Sequence, residues 1–125
     1  MYVVAQHAIT INARLIPADG TIEFTQQLQY VNSSQDTLSS IYLTDWAHSF
    51  SSKQTPLAQR FAENYDKRFH LAKDENRGRT TMTYISANNI FLQYERPDGH
   101  PDIIRVILKK PLFPGDSQRI DLDYT

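Results

Sequence analysis

Imidazole is the side chain most often used to hold zinc or to carry a proton near neutral pH, and this chain has four: His7, His48, His70 and His100. A zinc-binding helix needs two histidines one turn apart with a glutamate between them, so that both rings reach one metal from the same face. The sequence has no His-Glu-x-x-His, and no histidine has a second histidine or a glutamate at that spacing. Each is read as a surface or partly packed imidazole. Serines are plentiful at Ser33, Ser34, Ser39, Ser40, Ser49, Ser51 and Ser52, yet no Gly-x-Ser-x-Gly elbow presents one as a nucleophile. They read as turn residues. Of the acids, Asp74-Glu75 has the look of a solvated helix end, and Asp121 and Asp123 alternate outward from a strand. A catalytic carboxylate pair requires one member in an apolar site, and neither set shows that context. There is no cysteine, which removes disulfides, thiolate zinc sites and cysteine nucleophiles together. Four scattered glycines cannot build a phosphate cradle. No catalytic, cofactor-binding or metal-ligating residue is assigned.

One basic cluster stands out: Lys67, Arg68, His70, Lys73, Arg77 and Arg79, interrupted by Asp74 and Glu75. A single-strand nucleic-acid site interleaves such charges with exposed aromatics. Here the interleaved Phe69 falls in line with an apolar helical face, which reads as burial. Over the whole chain 13 basic and 14 acidic residues leave a formal charge of −1, too little for a field that steers polyanions. No nucleic-acid partner is expected. No apolar run approaches the roughly 20 residues that span a bilayer, and Met1-Tyr2-Val3-Val4 lacks the basic and apolar regions of a signal peptide. A chain of 125 residues reads as a single domain, 1–125, resting on one apolar core.

The elements that would carry these residues are mostly strands. Ile9, Ile11, Ala13 and Leu15 alternate with polar neighbours, the period of a strand buried on one face. Asp19-Gly20 then turns the chain into a second strand, Ile22 to Tyr30, with Gln26 as its one polar inward position. Asn32 to Asp36 is a polar turn leading to Leu38, Ile41 and Leu43. Thr80 to Ile85 and Ile90 to Glu95 read as strands, with Ala87-Asn88-Asn89 between them. Pro97-Asp98-Gly99 is expected to join Ile90 to Glu95 with its antiparallel neighbour, Ile103 to Leu108, a central strand covered on both faces. Pro111 and Pro114-Gly115-Asp116 mark a loop before the last strand. The exception lies near residues 55–73, where Thr55-Pro56 is a helix start. Leu57, Phe61, Tyr65 and Phe69 then recur on one face, Asn64-Tyr65-Asp66 is a weak point within the helix, and Gly78 is a stop. The fold class is therefore mainly β: an antiparallel β-sandwich or curved sheet of about seven strands with one helical insertion.

The order of these landmarks resembles the N-terminal β domain of the aminopeptidase N-like (gluzincin) zinc metallopeptidases. The landmarks are a strand ending in Tyr30-Val31-Asn32-Ser33-Ser34, the stretch Leu38 to Leu43, and Val106 to Ser117 through Lys109-Lys110-Pro111-Leu112-Phe113-Pro114-Gly115-Asp116. Asp45-Trp46-Ala47-His48-Ser49-Phe50, Thr55-Pro56-Leu57-Ala58 and Phe69 to Gly78 resemble the exported branch found in Bacteroidetes. The resemblance implies a non-catalytic domain that precedes a thermolysin-like domain, which in that family holds zinc on His-Glu-x-x-His and a distant glutamate. The partners it implies are the catalytic domain of the same chain and, through it, a peptide substrate; the compartment it implies is exported or periplasmic. The chain is then a fragment of a longer protein, and zinc belongs to the parent rather than to these residues.

Two functions are weighed: a structural and docking domain of such an enzyme, and a free-standing β-sandwich binding module for carbohydrate or protein using exposed aromatics. An independent hydrolase lacks both nucleophile and metal motif. The segment Asp45 to Thr55, serine-rich and without an amphipathic period, is the expected contact surface. Its Trp46 and Phe50 either face a partner or pack beneath Phe61 and Phe69.

Overall fold

The computed structural model describes residues 6 to 125. They form eight strands: β1 (Ala8–Ile16), β2 (Thr21–Val31), β3 (Leu38–Thr44), β4 (Met82–Ala87), β5 (Ile90–Phe91), β6 (Tyr94–Glu95), β7 (Ile103–Leu112) and β8 (Ser117–Tyr124). The mainly antiparallel β class holds, with two antiparallel sheets, one of five strands in the order β1-β2-β8-β4-β5 and one of three in the order β3-β7-β6. Two compact units are present. One contains Met1–Ile41, Thr81–Gln93 and Ile107–Thr125, and the other Tyr42–Thr80 and Tyr94–Val106.

The first unit holds the five-stranded sheet. Its β1–β2 hairpin closes through Pro17 to Gly20, with Gly20 at φ 64, and the register runs unbroken from Ala8 opposite Gln29 to Ile16 opposite Thr21. Asn88 and Asn89, at φ 52 and 62, make the two-residue turn between β4 and β5, the conformation that asparagine tolerates and that matches strand twist. Leu28, Ile85, Ile120 and Leu122 are buried in this unit, as are Val31, Ile41, Leu92 and Leu112. Gln26, the polar inward position of β2, is satisfied because the Tyr124 hydroxyl donates to its Oε1 at 2.8 Å. The expected burial of β1 does not occur: every residue from Ala8 to Leu15 is exposed. β1 is the outermost strand, and alternation marks which face is apolar without saying that anything covers it.

The stretch 90–95 is not one strand. Phe91 pairs with Ser86 of β4, and Leu92 N–H still donates to Ile85 O at 2.9 Å. One residue later Gln93 O accepts from Ile107 N–H, and Tyr94 and Glu95 lie opposite Val106 and Arg105 of β7. The chain thus changes partner between Leu92 and Gln93. The Pro97 to His100 turn does join β6 to β7 antiparallel, with Gly99 at φ 76 and His100 N–H donating to Pro97 O at 2.9 Å. Pro111 falls within β7, so the loop before β8 is only 113 to 116. β7 is central in its sheet, with Ile104 and Val106 buried and Ile103, Arg105 and Ile107 half-buried on its other face.

The second unit contains the helical insertion in pieces: a 3-10 turn Trp46–Phe50, α1 (Pro56–Glu63), α2 (Arg68–Leu71) and a 3-10 turn Asp74–Asn76. Thr55 caps α1 as expected, its Oγ1 accepting from Ala58 N–H at 3.2 Å, with proline at the first turn. The break falls at Asn64 to Asp66, where Tyr65 has φ 58 and is 89% exposed. Tyr65 therefore leaves the expected apolar face, and helix has ended at Leu71, before Gly78.

Candidate docking surface

Register fixes which side chains share a face of the five-stranded sheet. Ile9, Ile11, Ala13 and Leu15 of β1 lie opposite Leu28, Gln26, Phe24 and Ile22 of β2, and β8 continues the same rows with Ile120, Leu122 and Tyr124. Because side chains alternate across a strand, the other face carries Thr10, Asn12, Arg14, Glu23, Thr25, Gln27, Arg119, Asp121 and Asp123. The sheet is amphipathic across its full width. Its apolar face is covered at β8 and β4, where Ile120, Leu122 and Ile85 are 0–3% exposed, and at Leu28 of β2, and uncovered along β1 and at Ile22. There Ile9, Ile11, Leu15 and Ile22 are 57%, 52%, 63% and 42% exposed. Full burial of such a side chain is worth about 1.5–3 kcal/mol, so covering four half-exposed ones would return about 3–6 kcal/mol. At its upper end that reaches the lower end of a domain's net stability, about 5–15 kcal/mol.

The segment Asp45 to Thr55 divides its two aromatics. Trp46 is 61% exposed, whereas Phe50 is half-buried, with its ring 6.1 Å from that of Phe69. Phe69 in turn lies 5.6 Å from Phe61, and the Arg77 guanidinium sits 5.3 Å from its centroid. The serines here build structure. Ser49 is fully buried and its hydroxyl donates to Trp46 O, while Thr55 Oγ1 donates to Ser49 O at 2.6 Å.

Asp45 anchors this segment. Its carboxylate accepts from His48 N–H at 3.3 Å, from Thr80 Oγ1 at 2.8 Å and from Arg96 Nη2 at 2.7 Å. Arg96 also donates to Pro101 O, and Asp45 N–H donates to Asp102 O. Thr80 N–H lies 3.1 Å from His48 Nδ1. An aspartate, a histidine and a hydroxyl thus lie together, but not in the geometry that activates a nucleophile. The threonine hydroxyl donates to a carboxylate already ion-paired with arginine, and that carboxylate accepts from the histidine backbone instead of its ring. Burial, then the nearby Arg96, pushes the His48 imidazole below its ordinary pKa. The group is a structural knot.

Arg68, Lys73 and Arg77 of the basic cluster are engaged by local partners. Arg68 forks onto Asp66, holding that carboxyl down to about 2. Arg77 is buried, pairs with Asp74 and donates to Ala72 O at 2.6 Å. Lys73 lies 3.8 Å from Glu75. A shallow depression is lined by Ser51, Ser52, Lys53, Gln54, Asp74, Arg77 and Arg79. It has no apolar wall, unlike the pockets that hold most small ligands. Among the described residues no three histidine, aspartate or glutamate side chains converge on a point that would hold a metal ion.

No family model, curated protein or solved structure matches this chain. The surface must therefore be weighed on its own geometry. The uncovered hairpin face is the feature that sequence reading missed, having counted its four side chains as core. Alternation along β1 names its apolar face and carries no mark of whether anything covers it.

Proposed function

We propose that this chain is a non-catalytic docking domain, and that the contact it offers is the apolar face of the β1–β2 hairpin. The observation that carries this reading is the continuous exposure of Ile9, Ile11, Leu15 and Ile22 on a face whose other half is buried. Apolar patches of this kind on a water-soluble surface mark contacts with another protein surface. The order of sequence landmarks suggests the setting, a zinc aminopeptidase of the aminopeptidase N type, in which a catalytic domain of the same chain would supply the cover and zinc. The test is to extend the polypeptide along its reading frame through any His-Glu-x-x-His domain and measure hydrogen exchange at β1. Exchange slowed at least tenfold relative to the 125-residue chain supports docking, and unchanged exchange in such an extended protein overturns it.

A second reading, a binding module for carbohydrate, is favoured by one observation: Trp46 and Tyr42 are each 61% exposed in the second unit. Trp46 is the sole tryptophan, so its emission reports directly on stacking by a sugar ring. Saturable quenching or a blue shift on titration with oligosaccharides, lost in Trp46→Ala, supports this reading. An invariant spectrum across neutral and acidic glycans removes it.

A further inference from the structure

Sheets are kept from pairing edge to edge by short edge strands, prolines, bulges or inward-pointing charges. The edges at β5 and β6 are two residues long, and the edge at β3 is seven residues, opening Leu38-Ser39-Ser40. β1 has none of these devices. It runs nine residues without proline, its register with β2 has no bulge, and its one charge, Arg14, lies on the polar face against Glu23 at 3.0 Å. Among the described residues no strand pairs with its outer side.

We propose that β1 pairs antiparallel with β1 of a second copy, about a two-fold axis through Asn12. The strand is self-complementary in that register, which uses all nine residues. Ala8 falls opposite the second copy's Ile16, Ile9 opposite Leu15, Thr10 opposite Arg14 and Ile11 opposite Ala13, with the two Asn12 side chains facing each other. Large meets small or large on the apolar face, amide meets amide on the polar face, and the two arginines are kept apart by the intervening Asn12 pair. No like charges are opposed. The two exposed apolar stripes then become one continuous surface across a ten-stranded sheet, an isologous arrangement closed at two copies. This uses the outer backbone edge of β1, not the face assigned to docking, so either can fail without the other.

The register makes a specific prediction at Asn12, which is exposed and on the polar face. Asn12→Lys places two ammonium groups directly opposite each other across the axis, a destabilising cross-strand pair. Sedimentation equilibrium of the 125-residue chain at concentrations on the order of 100 μM should give twice the 14.5 kDa of one copy. The Asn12→Lys variant should self-associate about tenfold more weakly, with a thermal melt unchanged from the parent's when both are diluted to monomer. Mixed with Asn12→Asp it should form a one-to-one heterodimer, visible by native mass spectrometry, because lysine then faces aspartate. A monomeric parent chain overturns the proposal. So does an Asn12→Lys variant that stays as dimeric as the parent, or one that ignores Asn12→Asp.

Discussion

Asn32 is 1% exposed, and both polar atoms of its side chain have partners. Its Nδ2 donates to Asp36 O at 2.8 Å and to Leu112 O at 2.9 Å, while its Oδ1 accepts from the Ser34 N–H and hydroxyl. Its backbone meets Gly115 and Asp116. Asn32→Ala removes these side-chain bonds and leaves buried carbonyls short of a donor, so it should cost about 2–4 kcal/mol in a chemical melt. A loss below about 0.5 kcal/mol would mean that water replaces the amide. His48 gives a pH dependence whose sign follows from linkage. Its folded pKa lies below the unfolded value of 6.5, so the unfolded chain binds the proton more readily. The contribution is complete above about 6.5 and is withdrawn as pH falls from there through the folded value. Melting temperature should therefore fall between neutral and mildly acid pH, and His48→Gln should flatten that slope. Neither role was legible in the sequence. Asn32 reads as one more turn residue because its partner Leu112 is 80 positions away, and Asp45 reads as a lone acid because Thr80 and Arg96 are 35 and 51 away.

Elements defined by neighbouring residues were far more legible. The Thr55-Pro56 helix start, the hairpin at Gly20 and the turn at Gly99 each depend on local chemistry, and each stands where the sequence puts it; the break expected at Ala87-Asn88-Asn89 is narrower, with Ala87 still in β4 opposite Ile90. The apolar repeat at Leu57, Phe61 and Tyr65 was less dependable, because a four-residue period continues on paper through a helix that has already stopped. Tyr65 makes the difference measurable. It is almost fully exposed at φ 58, a region that costs an L-residue about 1–2 kcal/mol relative to glycine's freedom. Tyr65→Gly should leave stability unchanged or raise it by up to about 1 kcal/mol, whereas a core tyrosine would lose several. Gly99→Val, at φ 76 with no heavy atom within 4 Å of an added Cβ, has space but the wrong backbone, and should cost about 1 kcal/mol or more. The partner change at Leu92 was illegible for the opposite reason. An alternating run of six residues carries no mark of which strand each residue pairs with.

Across the whole molecule the same limit decides where the function lies. Hydrophobic patterning gave the correct apolar face for β1, β2 and β8, yet it cannot distinguish a face covered by the chain itself from one left open, since both alternate with period two. Ile120 and Ile9 illustrate this: they lie on one face in the same row, and are 0% and 57% exposed. The difference can be measured in the 125-residue chain. Ile11→Thr combined with Leu15→Thr places β-branched threonine, a good strand former, at both positions of an exposed strand, so the melt should shift by less than about 1 kcal/mol, within the range for surface substitutions. Binding of a hydrophobic dye should fall, because two of the four exposed side chains lose apolar surface. The contrasting control is Ile120→Thr, which places a hydroxyl at a fully buried site and should cost about 2–4 kcal/mol. A double β1 variant that melted as early as Ile120→Thr would show that the chain covers its own hairpin in solution, and the docking surface would then have to be sought at Trp46.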